Sequence, residues 1–232
     1  MVSSSHSIAQ TPTPISSSDE PGDAVTSVIT TNFAPSNNGV PSDTVGGGSR
    51  NSGMCPTNSD SYGTRLTPIV ADNSQNLTTL ERPSVLVHIQ NESVSQLFLS
   101  VKDEQGNYEY QTLVSIPEES GILNITLPDD APPLVIGNTY QWSLVIVCGE
   151  SLRADDPLVQ GLIQRVEGTA TGQGASMNQV VEYGNLGVWY DTIATLATIR
   201  QAQPEDAELL SMWNQLLTEV ELDELGSAPL IF

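Results

Sequence analysis

From Leu66 to Glu167 the chain is broken by turn-forming residues roughly every ten positions, and the runs between them are too short for helices. Those runs alternate apolar and polar residues with a period of two, the signature of half-buried strands. Seven strands are predicted: Leu66–Val70, Ser84–Ile89, Gln96–Lys102, Tyr108–Ile116, Ile122–Leu127, Thr139–Cys148 and Leu158–Glu167. Asp103-Glu104-Gln105-Gly106-Asn107 joins two of them with hairpin chemistry, since Gly106 accepts a positive φ at no steric cost. Pro117 and Pro128 end strands. Seven short antiparallel strands of this kind imply a two-sheet sandwich. Its centre is the segment running from Tyr140 through Trp142, Leu144 and Ile146 to Cys148, which share one face.

The chain has two cysteines, Cys55 and Cys148. Cys148 closes this apolar strand, where a thiolate is disfavoured and a disulfide is not. Cys55 stands where a leader rich in Ser, Thr, Pro and Gly gives way to patterned sequence. A Cys55–Cys148 bridge would staple the two together, and it places the protein outside the reducing cytoplasm. Ser7-Ile8-Ala9 before Gln10 has the small-x-small form of a signal-peptide cleavage site, although no apolar run precedes it. The expectation is that the apolar part of a signal peptide is missing from this sequence.

Composition excludes several functions. Seven Lys and Arg against 28 Asp and Glu give a formal net charge of −21, with Lys102 the single lysine. No basic stripe exists to neutralise phosphates, so nucleic acid is not a partner. The sequence contains no run of apolar residues long enough for a transmembrane helix.

After Gly168 the period shifts toward that of helices, predicted over Ser176–Tyr183, Val188–Arg200 and Ala207–Val220. Tyr183, Gly187, Trp189, Leu196 and Pro204 fall where a tetratricopeptide repeat places its helix end, turn glycine, aromatic, core residue and closing proline. Thr192 and Asn214 depart from that pattern. A repeat and a half cannot stand alone, so Trp189, Tyr190 and Trp213 either pack these helices together or onto the sandwich, or form a partner surface if exposed. The predicted organisation is a disordered leader over 1–53, a β-sandwich over 54–168 and a helical subdomain over 169–232.

Catalytic chemistry finds little support. His6 lies in the leader and His88 alternates with Leu86 on a strand without an identified partner, and no Gly-x-Ser-x-Gly elbow is present. Two cysteines 93 positions apart without a nearby His pair do not make a zinc site. Gly172-Gln173-Gly174 lacks the third glycine of a dinucleotide fingerprint. The loop pairs Asp129-Asp130 and Asp155-Asp156 supply oxygens that suit calcium or a polysaccharide, without EF-hand spacing. Asn76, Asn91 and Asn124 begin glycosylation sequons, which carry meaning only in a eukaryotic secretory pathway.

A set of motifs in order suggests a family. Ser49-Arg50, Cys55-Pro56, Leu66-Thr67, Glu81-Arg82-Pro83, Asp103-Glu104-x-Gly106-Asn107, Gly137-x-x-Tyr140-x-Trp142, Cys148 and Gly161-x-Ile163-Gln164-Arg165-Val166 resemble a cyanobacterial family of unknown function, numbered nine-two-eight. Gly187-Val188-Trp189-Tyr190-Asp191 and Ala228-Pro229-Leu230 extend the likeness over about 49 to 232. The resemblance implies an exported envelope protein and no known activity. The expected fold class is mainly β with a C-terminal α part: an Ig-like antiparallel sandwich, then a small tetratricopeptide-like helical unit. The expected function is a non-catalytic envelope or periplasmic interaction module that needs no cofactor and binds another envelope protein. Its rival is a ligand-binding module using the acidic loops, and an enzyme built around His88 or clustered carboxylates comes third.

Overall fold

A computed structural model describes residue 55 and residues 64–71, 76–90, 94–168 and 174–232. The leader over 1–53, His6, Asn91 and most of the Thr169–Ala175 connector lie outside the described residues. Eight strands are followed by three helices: β1 (Arg65–Pro68), β2 (Leu77–Thr78), β3 (Ser84–Gln90), β4 (Gln96–Asp103), β5 (Tyr108–Ser115), β6 (Gly121–Thr126), β7 (Thr139–Ile146), β8 (Leu158–Arg165), α1 (Met177–Leu186), α2 (Trp189–Ala202) and α3 (Ala207–Glu219). A 3₁₀ turn, Asp223–Leu225, precedes the C-terminal tail. Each of the seven expected strands has its counterpart. The two-residue β2 is the addition, too short to show any alternation.

The strands form two sheets, ordered β1-β3-β6 and β2-β8-β7-β4-β5. All pairings are antiparallel except β2 with β8. The β4–β5 turn closes as its chemistry dictates: Asn107 donates its backbone N–H and its side-chain amide to the Asp103 carboxylate, both at 2.8 Å, and Gly106 takes φ 85°. β7 alternates strictly, with Tyr140, Trp142, Leu144 and Ile146 buried toward the opposite sheet. It stops at Ile146, earlier than expected. Val147 donates instead to Gln96, and the chain turns, leaving Cys148 half-buried just beyond the strand.

β3 is buried on both faces. Val85, Val87 and Ile89 point to the sandwich interior, while Leu86 on the opposite face is also fully covered. The cover is helical, since α2 packs against β3 and reaches β2. One apolar core therefore runs from Leu97 and Leu144 through Ile89 to Trp189, Ile193 and Trp213. The layers are helices, three-stranded sheet, five-stranded sheet. Local signals set the helix ends: Ser176 and Asp206 cap α1 and α3, and Gly187, in the left-handed region at φ 70°, closes α1 before α2 turns back.

The free edge of β6 is covered by the tail. Ile122 donates to the Pro229 carbonyl at 2.7 Å, and Ile231 donates to the Ile122 carbonyl at 2.9 Å. The backbone approaches so closely that a Cβ on Gly121 would lie 2.6 Å from the Pro229 oxygen. Pairing of this kind removes an exposed sheet edge.

Glu219 ends α3 with both carboxylate oxygens buried and without a hydrogen-bond partner among the described residues. Burial pushes its carboxyl up to about 7, and its place at a helix C-terminus disfavours the anion further. Folded-state protonation above the ordinary value means that stability falls as pH rises from about 4.5 to 7. Glu219→Gln is expected to match the parent near pH 4 and to exceed it by about 1 kcal/mol at pH 8. That figure is discounted because water screens a half-buried group. Melting curves at the two pH values check it, and an equal difference at both would contradict the assignment.

Candidate functional site

A constellation of buried polar groups lies where α2 meets the sandwich. Trp142 points inward from β7, and its Nε1–H donates to the Tyr190 hydroxyl at 2.8 Å. Tyr190 in turn donates to the Leu162 carbonyl of β8 at 2.7 Å. The Trp142 indole lies against Gly161, where a Cβ would come within 2.6 Å of the ring, so only glycine admits the indole there. Burial pushes the Tyr190 phenol above its ordinary range. Trp189 donates through Nε1 to the Ile69 carbonyl at 3.3 Å. Trp213, one helix further, lies beneath the Arg200 guanidinium at 5.1 Å, and Arg200 also donates to the Gly226 carbonyl at 3.2 Å.

Trp189, Tyr190 and Trp213 are thus wholly buried, each with no more than 1% of its surface exposed. The partner-surface alternative for these three residues is overturned, and the packing alternative holds. The physical reason is that α2 is enclosed on more than one side: Ile193, Leu196, Ala197 and Ile199 are buried along with its two aromatics.

Beside this seam sits a carboxylate that sequence reasoning did not single out. Asp191, in the first turn of α2, is 1% exposed. It accepts hydrogen bonds from the Thr78 hydroxyl, from the Thr79 backbone N–H at 2.7 Å and from the Thr79 hydroxyl at 2.7 Å. Burial raises its carboxyl above the ordinary value, and these three donors pull it part of the way back. Gly168 packs on the same threonine, and a Cβ there would meet Thr79 Cγ2 at 2.3 Å. With its oxygens engaged and no opening to solvent, Asp191 joins helix to strand and is not placed to exchange protons with a substrate. The only sequence signal was its position at the end of Gly187-Val188-Trp189-Tyr190-Asp191.

Arginine side chains, scarce in this chain, hold loops. Arg82 donates to the carbonyls of Pro128, Asp129 and Ala131 at 3.0–3.2 Å, and Arg165 to Leu134 at 2.6 Å. His88 lies half-buried on the helix-facing side of β3. Burial lowers its pKa, and the Glu224 carboxylate partly opposes that.

The acidic loop residues are engaged locally. Asp130 accepts from the Tyr110 hydroxyl at 2.8 Å, while Asp129 is exposed. Asp155 pairs with Arg153 at 3.1 Å in the open, and Asp156, buried, accepts from the Arg153 backbone N–H at 2.9 Å. Among the described residues, no group of three or more His, Cys, Asp or Glu side chains is arranged to hold a metal ion. Neither pair is therefore completed into a ligand set there. Asn76, the first sequon residue, is buried, its carbonyl accepting from Gln164 at 2.9 Å.

Cys55 and Cys148 are joined as a disulfide, with their Cα atoms 5.4 Å apart. The bridge ties the chain ahead of β1, in the three-stranded sheet, to the end of β7, in the other.

A second candidate surface is the outer face of the five-stranded sheet. Strand register arranges its outward side chains in cross-strand rows. Leu158, Val145, Phe98 and Leu113 form one row, Gln160, Ser143, Ser100 and Gln111 the next, and Leu162, Gln141, Lys102 and Tyr108 the third. The third row also takes in Glu109, exposed beside Tyr108 at the bulge where two residues of β5 oppose Lys102, and Lys102 lies over the Tyr108 ring at 4.5 Å. Leu113 and Tyr108 are more than half exposed, and Leu158 and Leu162 are exposed as well. No helix of the described residues is long and apolar enough to cross a membrane.

No curated protein matches this sequence. The family described as Domain of Unknown Function (DUF928) matches residues 45–230, most of the chain and all of its described strands and helices. The protein belongs to that family.

Proposed function

We propose that the protein is a non-catalytic, exported module of the cell envelope whose role is to bind another macromolecule. The sandwich is the scaffold in this reading, and the outer face of the five-stranded sheet is its contact surface. An immunoglobulin-like topology fits the strand order: β1-β3-β6 corresponds to strands A, B and E, and β8-β7-β4-β5 to G, F, C and C′. A tetratricopeptide-like origin for the helices is supported by the left-handed turn at Gly187 and by the packing of α1 on α2.

The single observation that carries the reading is the apolar row on a solvent-facing sheet surface. Outward positions on a half-buried sheet are ordinarily polar, and contiguous exposed apolar side chains mark interaction sites. The disulfide supports export, because such bonds persist in oxidising compartments. Cell fractionation combined with thiol counting tests the export on which the reading depends. The expected result is protein in the envelope fraction with no free thiol under denaturing, non-reducing conditions. Recovery from the cytoplasm with both thiols free would remove the export reading.

A further inference from the structure

We infer that the outer face of the five-stranded sheet is a self-association surface, on which a second copy of this chain packs face to face. This deepens the interaction reading by naming its partner. Three observations favour a second copy over other occupants. The first is charge. At −21 per chain, two copies repel wherever carboxylates face each other, and this grid offers one, Glu109, at the β5 end of the third row beside Lys102. A pair docked here keeps the acidic loops apart and exposed.

The second is geometry. Leu158, Val145, Phe98 and Leu113 run across four adjacent strands in one row, with Leu162 and Tyr108 two rows away and a band of glutamine and serine between. A two-fold axis along that middle band lays the apolar row of one copy over the third row of the other, with Leu158 and Leu113 meeting Leu162 and Tyr108, and Val145 and Phe98 meeting Gln141 and the Lys102 stem. That arrangement is self-complementary, as a closed isologous contact requires. Sheets stacked this way align within about 30° and interdigitate their side chains.

The third is position in the fold. The three-stranded sheet carries the helices on its outer side, and β6 is edged by the tail. The opposite sheet has no such cover among the described residues. Four strands about 4.8 Å apart and eight residues long present roughly 500 Å². This is less than the roughly 800 Å² per partner of a standard stable complex. The association is therefore weak and concentration-dependent, forming at micromolar levels.

Sedimentation velocity on the full oxidised chain tests it between about 1 and 200 μM, at low and high NaCl. The expected result is a monomer–dimer equilibrium that tightens several-fold with salt, as screening removes repulsion while the apolar contact persists. Leu113→Lys is more than half exposed in the parent and takes part in no core packing, so it leaves the fold intact. It is expected to weaken the dimer at least ten-fold, as is Phe98→Lys. Leu152→Lys, an exposed site in the loop after β7, leaves the equilibrium unchanged. A monomer at 200 μM in high salt, or a dimer indifferent to Leu113→Lys, overturns the proposal. A chain that stays monomeric yet resides oxidised in the envelope overturns the dimer alone and leaves the broader interaction reading standing.

Discussion

Removing the Cys55–Cys148 bridge is expected to lower the unfolding free energy by about 4–5 kcal/mol. The figure follows from chain entropy: a cross-link across 93 positions withdraws a large set of conformations from the unfolded chain. The loop it closes contains seven of the eight strands in full and β1 through β7 in order, so the bridge constrains nearly the whole sandwich. It also acts locally. Both cysteines are half-buried against the apolar core, and Cys148 lies where β7 has ended and the chain is about to turn. For a domain of this size, the loss corresponds to a fall in melting temperature of roughly 10–15 °C. Cys55→Ser/Cys148→Ser, compared with the oxidised and reduced parent by calorimetry, checks it. The double variant and the reduced parent should melt together. A fall of less than about 3 °C would overturn the chain-entropy figure.

Much of this architecture is legible in the residues, and the limits have physical causes. Strands such as β7 declare themselves because one buried face imposes a period of two, and turns such as Asp103–Asn107 because side-chain chemistry selects them locally. β2 does not. Two residues carry no period, and Leu77-Thr78 is a strand only because β8 lies alongside and Asp191 grips its end from 113 positions away. The aromatics of α2 were readable as packing residues, but their direction was not, since a helix enclosed on several sides lacks the polar face that would mark inside from outside. Cys148 extended the β7 alternation on paper, whereas the strand ends two residues earlier, where Val147 turns to Gln96. The outer face shows a related limit. Each strand's alternation identifies its outward residues, but only strand order and register bring Leu158 and Leu113, from opposite sides of the sheet, into one row.

Asp191→Ala is expected to cost about 3–5 kcal/mol, although it deletes a carboxylate that burial already disfavours. Three donors are left behind: the Thr78 hydroxyl, the Thr79 hydroxyl and the Thr79 backbone N–H. The backbone N–H cannot turn away, and an orphaned buried donor carries its full desolvation penalty. Breaking a buried charged contact from one side is accordingly far more costly than the contact is worth in net terms. Asp191→Asn keeps the shape and one acceptor, which can serve both Thr79 donors, while the Thr78 hydroxyl rotates to accept from the new amide. Its cost is smaller, about 1–2 kcal/mol, and depends on pH with a definite sign. Because the folded carboxyl sits above its ordinary value, the parent loses stability as pH rises through the range just above that value. The deficit of Asp191→Asn relative to the parent should therefore be greatest in acid and shrink toward neutrality. Denaturant melts at two pH values measure this, and amide exchange at Thr79 supplies the local readout. In Asp191→Ala that amide should exchange far faster than in the parent, while amides in the centre of β7 change only with global stability. A Thr79 amide that stays protected would mean that β8 alone holds β2 in place, and that the helix is attached to the sandwich through Trp189 and Tyr190 without the carboxylate.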